Sequence, residues 1–276
     1  MSKRQNIAIQ GIRGSFHHSV AEAYFDDINK LMECMTFDLL IDSLLKNKVD
    51  IAVMAIENSI AGSIIPNYAL IDNHDLQIIG EYYLDVQHNL MTLPGQTIEN
   101  IREVHSHPMA LLQCKEFFKS YPKIKLVEAK DTADVAKQIS ELQLRGVAAI
   151  ASEKASRLYG LTILQKSIQT IKHNETRFVI VKRDKNTLKE DINKASLKFE
   201  LNHKRGSLAA VLNVLSDCKL SLTKIQSLPK INTPWKYAFF IDVTFEMYSD
   251  YEKAKSIVNI MAENFKILGE YKNEKV

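Results

Sequence analysis

Asp50-Ile51-Ala52-Val53-Met54-Ala55-Ile56 is a short, almost wholly apolar run, and it passes directly into Glu57-Asn58-Ser59-Ile60-Ala61-Gly62-Ser63. The run reads as a strand buried on both faces, which is the habit of parallel sheets. Beyond the Gly-Ser turn, Ile64 to Asn73 has helical spacing. Polar residues at the carboxyl end of a parallel strand face the crevice where such sheets bind ligands. Ser59 or Ser63 could equally be a helix N-cap with no ligand at all.

The same alternation extends both ways. Asn6 to Gln10 reads as a strand, His18 to Phe25 as a helix, and Asp38 to Asn47 as a helix with Leu40, Leu44 and Leu45 on one side. Leu76 to Leu93 reads as one or two long strands, His107 to Ser120 as helix, and Ile124 to Ala129 as strand. Asp131 to Leu142 is a helix with Asp131 as its N-cap. Val147 to Ala151, Ser152 to Tyr159 and Thr176 to Val181 follow as strand, helix and strand. This alternation predicts an α/β fold with a largely parallel sheet.

From Lys182 to Lys194, eight of 13 residues are charged, which predicts a solvated linker or a charged hairpin. After it the order changes. Ser196–Leu201 is a strand, Gly206–Asp217 a helix, Leu220–Leu228 and Tyr237–Phe245 strands, Asp250–Phe265 a helix and Lys266–Tyr271 a strand. That is a ferredoxin-like βαββαβ pattern. Trp235, the only tryptophan, falls between the two middle strands and reads as packing.

Composition narrows the class. The 276 residues are 46% hydrophobic and 25% charged, as in ordinary globular proteins, and the length suits about two domains. Lys plus Arg is 36 against 33 Asp plus Glu, so a net charge of +3 offers no footprint for nucleic acid. Cys34, Cys114 and Cys218 are odd in number and widely spaced. They predict a reducing compartment, not a disulfide framework or a zinc site. Neither a signal peptide nor an apolar run of membrane-spanning length is evident, so a cytoplasmic protein is expected.

Three other motifs could carry chemistry. Gly11-Ile12-Arg13-Gly14-Ser15-Phe16 joins a strand to a helix, and so is either a plain turn or a place where backbone N–H groups meet an anion. The third glycine of a dinucleotide fingerprint is missing, and no Gly-Lys-Ser/Thr follows. His105-Ser106-His107-Pro108 lacks further ligands for a metal, and reads as Ser106 capping a helix that starts at Pro108. Asn174-Glu175-Thr176-Arg177-Phe178 opens a strand. Its arginine makes either a surface salt bridge or a bidentate clamp on a carboxylate.

In this order the motifs resemble the prephenate dehydratase family with its C-terminal ACT regulatory domain, over essentially the full length. The family's Gly-Pro-x-Gly-Thr-Phe/Tyr-Ser corresponds to Gly11–His17, with Ile12, Ser15 and His17 as departures. Its Pro-Ile-Glu-Asn-Ser…Gly corresponds to Ala55–Ser59 with Gly62. Its Ser-His-Pro-Gln-Ala-Leu corresponds to Ser106–Leu111, with Met109 for Gln. Its Glu…Leu-Tyr-Gly-Leu corresponds to Glu153 with Leu158–Leu161, and its Asn-x-Thr-Arg-Phe stands intact at Asn174–Phe178.

The resemblance implies a two-lobed catalytic domain like a type II periplasmic binding protein, residues 1–181. One lobe would comprise about 1–80 and 163–181, and the other about 84–160. A linker at 182–194 and an ACT domain at 195–276 would follow. The implied reaction is the decarboxylating dehydration of prephenate to phenylpyruvate, with no metal and no cofactor. Thr176, Arg177, Phe178 and Glu57 are the expected catalytic set. Thr176 would hydrogen-bond the departing hydroxyl, Arg177 clamp a carboxylate, and Phe178 pack the ring. Glu57 competes as general acid if burial raises its pKa. Gly14 and Ser15, through backbone N–H groups, with Asn58, Ser59 and Gly62, are the expected substrate-binding residues.

L-phenylalanine is the expected effector, at Gly206, Ser207 and Leu208 and at Ser221, Leu222, Gln226, Ser227 and Leu228. The family has Glu and Arg where Gln226 and Leu228 stand. Pairing of ACT domains implies a homodimer or a dimer of dimers. Arogenate dehydratase and a non-catalytic amino-acid-binding regulator remain as alternatives.

Overall fold

The computed structural model describes residues 5–184, 191–202, 204–229 and 236–275. Trp235 and the middle of the charged stretch lie outside the described residues. By internal packing the chain forms two compact units: residues up to 62 with 83–178, and 63–82 with 179 onward.

The first part of the chain runs β1 (Gln5–Gln10), α1 (Phe16–Tyr24), β2 (Ile28–Cys34), α2 (Phe37–Leu45), β3 (Ile51–Asn58), β4 (Gly62–Ser63) and α3 (Ile65–Asn73). The middle runs β5 (Gln77–Asp85), β6 (Asn89–Thr92), β7 (Glu103–Ser106), α4 (Pro108–Gln113), α5 (Lys115–Phe118), β8 (Lys125–Glu128) and α6 (Thr132–Glu141). β9 (Val147–Ala151), α7 (Glu153–Tyr159), β10 (Thr162–Gln165) and β11 (Glu175–Lys182) complete it. The last part is β12 (Lys194–Glu200), α8 (Ser207–Asp217), β13 (Ser221–Pro229), β14 (Tyr237–Thr244), α9 (Tyr248–Met261) and β15 (Glu263–Tyr271).

In the first unit, β1 lies between β2 and β3, parallel to both, with Ile7 opposite Ile51 and Ala8 opposite Ala52. β11 lies beside β3. Ile51 to Ile56 are all buried, so both faces of β3 are covered, as the unbroken apolar run requires. A second sheet of this unit has the order β10-β6-β9-β7-β8, parallel around β7 and antiparallel at β6. Met91, Leu93, Ala133, Ala136, Ile139 and Ala149 form a core between this sheet and its helices, and Ile12 from the β1–α1 turn joins it. The unit is therefore the two-sheet α/β arrangement expected from the sequence.

The helix expected over 107–120 is two short ones, interrupted at Cys114. His107, not Ser106, is the cap: its Nδ1 accepts the Met109 N–H at 3.2 Å. Ser106 ends β7, and its hydroxyl donates to the Ile150 carbonyl at 2.7 Å. With its hydroxyl turned to the neighbouring strand, Ser106 does not accept from the first N–H groups of α4 as a cap must.

In the second unit, β12, α8, β13, β14, α9 and β15 realise the βαββαβ pattern, with sheet order β13-β14-β12-β15. Ala195, Leu197 and Phe199 alternate into a core with Val211, Leu215, Ile241, Val243, Tyr251 and Val258. The opposite face carries Lys194, Ser196 and Lys198, yet Lys194 is only 3% exposed. Its ammonium donates to both oxygens of Glu81 at 2.9 Å, while Lys198 and Lys266 reach Asp72 at 2.9 and 3.0 Å. Residues 63–82 thus cover this face through ion pairs. β5 comes so close that a Cβ on Gly269 would lie 2.3 Å from the Ile78 carbonyl oxygen, so no larger residue fits there. The last residue of the charged stretch is accordingly a buried strand residue.

Candidate active site

The polar turn after β3 and the start of β11 meet side by side. The Ser59 N–H donates to the Glu175 carbonyl at 2.8 Å, and the Glu175 N–H donates to Ser59 Oγ at 3.0 Å. Asn58 supplies the rest of the joint. Its Oδ1 accepts the N–H groups of Ile60 at 3.0 Å and Ala61 at 2.8 Å. A backbone N–H can only donate, so the other end of this amide is Nδ2. Nδ2 donates to Asn174 Oδ1 at 2.7 Å and to Thr176 Oγ1 at 2.9 Å.

This geometry decides the polarity of Thr176. Its Oγ1 already receives a hydrogen, so the hydroxyl's own proton points elsewhere. Among the described residues no acceptor takes it. Thr176 is 8% exposed, and its hydroxyl is a held donor at the C-terminal end of β3 and the N-terminal start of β11.

Successive residues of a strand face opposite ways. Thr176 and Phe178 therefore share one face of β11, and Arg177, 4% exposed, lies on the other. Asn58, Ser59 and Thr176 come together, and Phe178 follows Thr176 on the same face of β11; half-buried Glu57 precedes Asn58 on the opposite side of β3. Gly62 opens the short strand β4 at φ +82°.

Phe178 is fully buried and packs edge-on against His17, ring centres 4.9 Å apart at 89°. His17 also meets Phe37 at 5.6 Å, and its Nε2 accepts the Ala55 N–H at 3.2 Å. Burial in this aromatic setting pushes the imidazole far below its ordinary value, to about 3. A histidine whose folded pKa is depressed adds stability that is complete above its unfolded value of about 6.5 and is lost as pH falls towards the folded one. Between pH 7 and 5 this amounts to about 2 kcal/mol. Urea denaturation of wild type and His17→Leu at the two pH values checks it. The variant is expected to be less stable at pH 7 but to lose about 2 kcal/mol less on acidification; equal losses contradict the assignment.

The Gly11–Phe16 turn leads into α1, which Ser15 caps by accepting the His18 N–H at 3.2 Å. Gly14 has φ +91°, and a Cβ there would lie 3.1 Å from Ala155 Cα. The turn is fastened to α7: Ser152 Oγ donates to the Gly14 carbonyl at 2.5 Å and Tyr159 Oη to the Arg13 carbonyl at 2.5 Å. The backbone donors named from the sequence are engaged. Gly14 N–H donates to His18 Nδ1 at 3.0 Å, and Ser15 N–H donates to the Ile12 carbonyl at 3.0 Å. Among the described residues the N–H groups of Phe16 and His17 have no acceptor, so those are what this helix end offers an anion.

Two residues escaped the sequence reading. Gln113, at the end of α4, accepts the Asn174 Nδ2–H on its Oε1 at 2.9 Å. His88 lies 2.8 Å from the same oxygen through Nε2. The only sequence signal was polarity: Gln87-His88-Asn89 stands as three consecutive polar residues between Val86 and Leu90. Among the described residues no group of three or more His, Cys, Asp or Glu is placed to hold a metal.

In the second unit, Gly206 caps α8 at φ +82°, and the Ser207 hydroxyl faces the carbonyls of Asn202 at 2.9 Å and Lys204 at 2.7 Å. Leu208 packs on the core. Ser221, Leu222, Gln226, Ser227 and Leu228 lie along β13, the outermost strand of its sheet, and Gln226 Nε2 donates to the Ser227 carbonyl at 3.0 Å.

The family model for prephenate dehydratase matches residues 7–186. The bifunctional chorismate mutase/prephenate dehydratase of Buchnera aphidicola from Acyrthosiphon pisum is 34% identical over 98% of this chain and 72% of its own length. The chloroplastic arogenate dehydratase/prephenate dehydratase 2 of Arabidopsis thaliana is 36% identical over 97% of this chain and 73% of its own. Among solved structures, the Arthrobacter aurescens prephenate dehydratase in complex with L-Phe superposes with a TM-score of 0.85 at 22% identity, covering 98% of this chain and 90% of that one. The matched residues include the joint of Asn58, Ser59 and Thr176, and the chain belongs to the prephenate dehydratase family.

Proposed function

We propose that this protein is a carbon–oxygen lyase that converts prephenate to phenylpyruvate. The observation that carries the reading is the donor polarity of Thr176, fixed by Asn58. Prephenate has a ring hydroxyl and a carboxylate on the opposite quaternary ring carbon. When the carboxylate's C–C bond breaks, its electron pair enters the ring and expels the hydroxyl; one proton is taken up, and carbon dioxide and water leave. Aromatisation drives the reaction, so the protein's task is to hold the dianion and ease the departure of hydroxide. A hydroxyl donor aimed at the oxygen where charge develops does the second.

The N–H groups at the start of α1 suit one carboxylate. Arg177 is proposed as the other clamp, acting at the end of β11, and Glu57 as the competing acid. Phe178, wedged against His17, walls the ring site. Gly14, Ser15 and Gly62 act through the turns they shape.

The βαββαβ portion is proposed as an ACT domain that binds L-phenylalanine near Gly206–Leu208 and Ser221–Leu228. The edge strand β13 supports pairing of two such domains in a homodimer or a dimer of dimers. The absence of charge at Gln226 and Leu228 supports weaker inhibition than in a relative that carries the Glu and Arg. An inhibitor of this kind works only through unequal affinity for two conformations, with a coupling of ~1–3 kcal/mol. Among the described residues no helix is long and apolar enough to cross a membrane. The three cysteines are buried and unpaired, which supports a reducing cytoplasm.

The test is parallel turnover of prephenate and arogenate, each with and without L-phenylalanine. Phenylpyruvate formation from prephenate, suppressed by phenylalanine, is the expected result. Phenylalanine formation from arogenate alone would assign the same chemistry to the aminated substrate. Binding of either compound without turnover would make the protein a regulator.

A further inference from the structure

The chain of side-chain hydrogen bonds that begins at Thr176 ends at His88, and its direction can be followed link by link. Asn58 must present Nδ2 to Asn174, because backbone N–H groups hold its Oδ1. Asn174 therefore presents Oδ1 to Asn58 and Nδ2 to Gln113. Gln113 receives that hydrogen on Oε1, and the same oxygen faces His88 Nε2 at 2.8 Å. An amide oxygen only accepts, so Nε2 carries a hydrogen and donates it. A neutral imidazole then has a bare lone pair at Nδ1. Among the described residues that atom has no hydrogen-bond partner, and it is buried in a residue only 4% exposed.

An orphan acceptor in the interior is destabilising. The ring's packing does not require it: His88 meets Phe16 edge-on at 5.8 Å, a contact a phenylalanine would make equally well. What histidine adds is the Nε2–H donor. We propose that His88 is a positioning residue for the dehydration. Its Nε2–H locks Gln113 Oε1 as an acceptor, which orients Asn174 and so reinforces the orientation of Asn58 that the turn sets, keeping the Thr176 proton towards the substrate. Burial also lowers the pKa of His88, in keeping with a neutral ring. The inference rests on the dehydratase reading and on Thr176 as donor.

The test compares phenylpyruvate formation by wild type, Thr176→Ala, His88→Phe and His88→Gln. His88→Phe keeps the ring and removes the donor; it is expected to lower kcat ~10-fold or more with KM within ~3-fold. His88→Gln can bring its amide Nε2 to the same place, and is expected to recover kcat to within ~3-fold of wild type. Equal impairment of both variants, a loss confined to KM, or a His88→Phe enzyme of full activity overturns the proposal. Nitrogen-15 shifts of labelled imidazoles in the native enzyme give an independent readout. Nε2 protonated and Nδ1 bare is the expected pattern for His88, and the opposite tautomer overturns it. An active wild type with a fully active Thr176→Ala variant overturns the reading of Thr176 and this inference with it. An active wild type and a crippled Thr176→Ala beside an unaffected His88→Phe overturns the inference alone.

Discussion

Thr176→Ala is expected to cut kcat for phenylpyruvate formation by at least ~10²-fold, the scale for removing one preorganised donor to developing negative charge. KM should stay within ~3-fold, because the bond strengthens only as the hydroxyl leaves. The fold should survive: Asn58 Nδ2 keeps Asn174 Oδ1 at 2.7 Å, with the Glu175 carbonyl at 3.4 Å. Thr176→Ser retains the oxygen and its proton, and should recover most of the rate. If KM rises while kcat holds, Thr176 contributes binding and nothing to the chemical step.

Asn58→Asp is expected to be at least as damaging, although it changes a single NH₂ to an oxygen. The carboxylate would still accept from Ile60 and Ala61, so the turn after β3 should persist. Its other oxygen would face Asn174 Oδ1 and Thr176 Oγ1 and could donate to neither. Thr176 would then give its proton to Asp rather than to the substrate. The Asn174 amide would be driven to flip, setting its oxygen against that of Gln113. A loss in kcat of ~10²–10³-fold follows from losing the donor while adding negative charge beside departing hydroxide. Activity within ~3-fold of wild type would show that the amide chain does not set the direction of the Thr176 proton.

The sequence exposed the parts of this protein whose signal is local. Ile51–Ile56 is apolar on both faces because β3 is covered on both, and Gly206 sits where α8 begins because a positive φ is needed there. Four strands were missed: β2, β4, β7 and β10, of which β4 has only two residues and was read as a turn. β2 and β10 are outermost in their sheets, β2 shows no clean alternation of burial, and β7 and β10 have only four residues. Lys194 was read as the end of a solvated linker because its partner, Glu81, lies 113 residues away.

The site divides the same way. Asn58, Ser59 and Thr176 stand in motifs that can be read directly. Gln113 and His88 join them only through hydrogen bonds across 61 and 25 residues, which no spacing rule reveals. Gly14 and Ser15 sit in the right turn, but which N–H groups remain available there depends on His18 Nδ1 and the Ile12 carbonyl, and so on the folded backbone.

Asn58 acts on the reaction through the proton of Thr176. The most direct test is kcat for phenylpyruvate formation by wild type, Thr176→Ala, Asn58→Asp and the double variant. Two residues that act as one unit are strongly non-additive. An active wild type, two crippled single variants, and a double variant within ~3-fold of the slower single one are expected. Losses that multiply in the double variant would contradict this, because Asn58 and Thr176 would then serve the reaction independently.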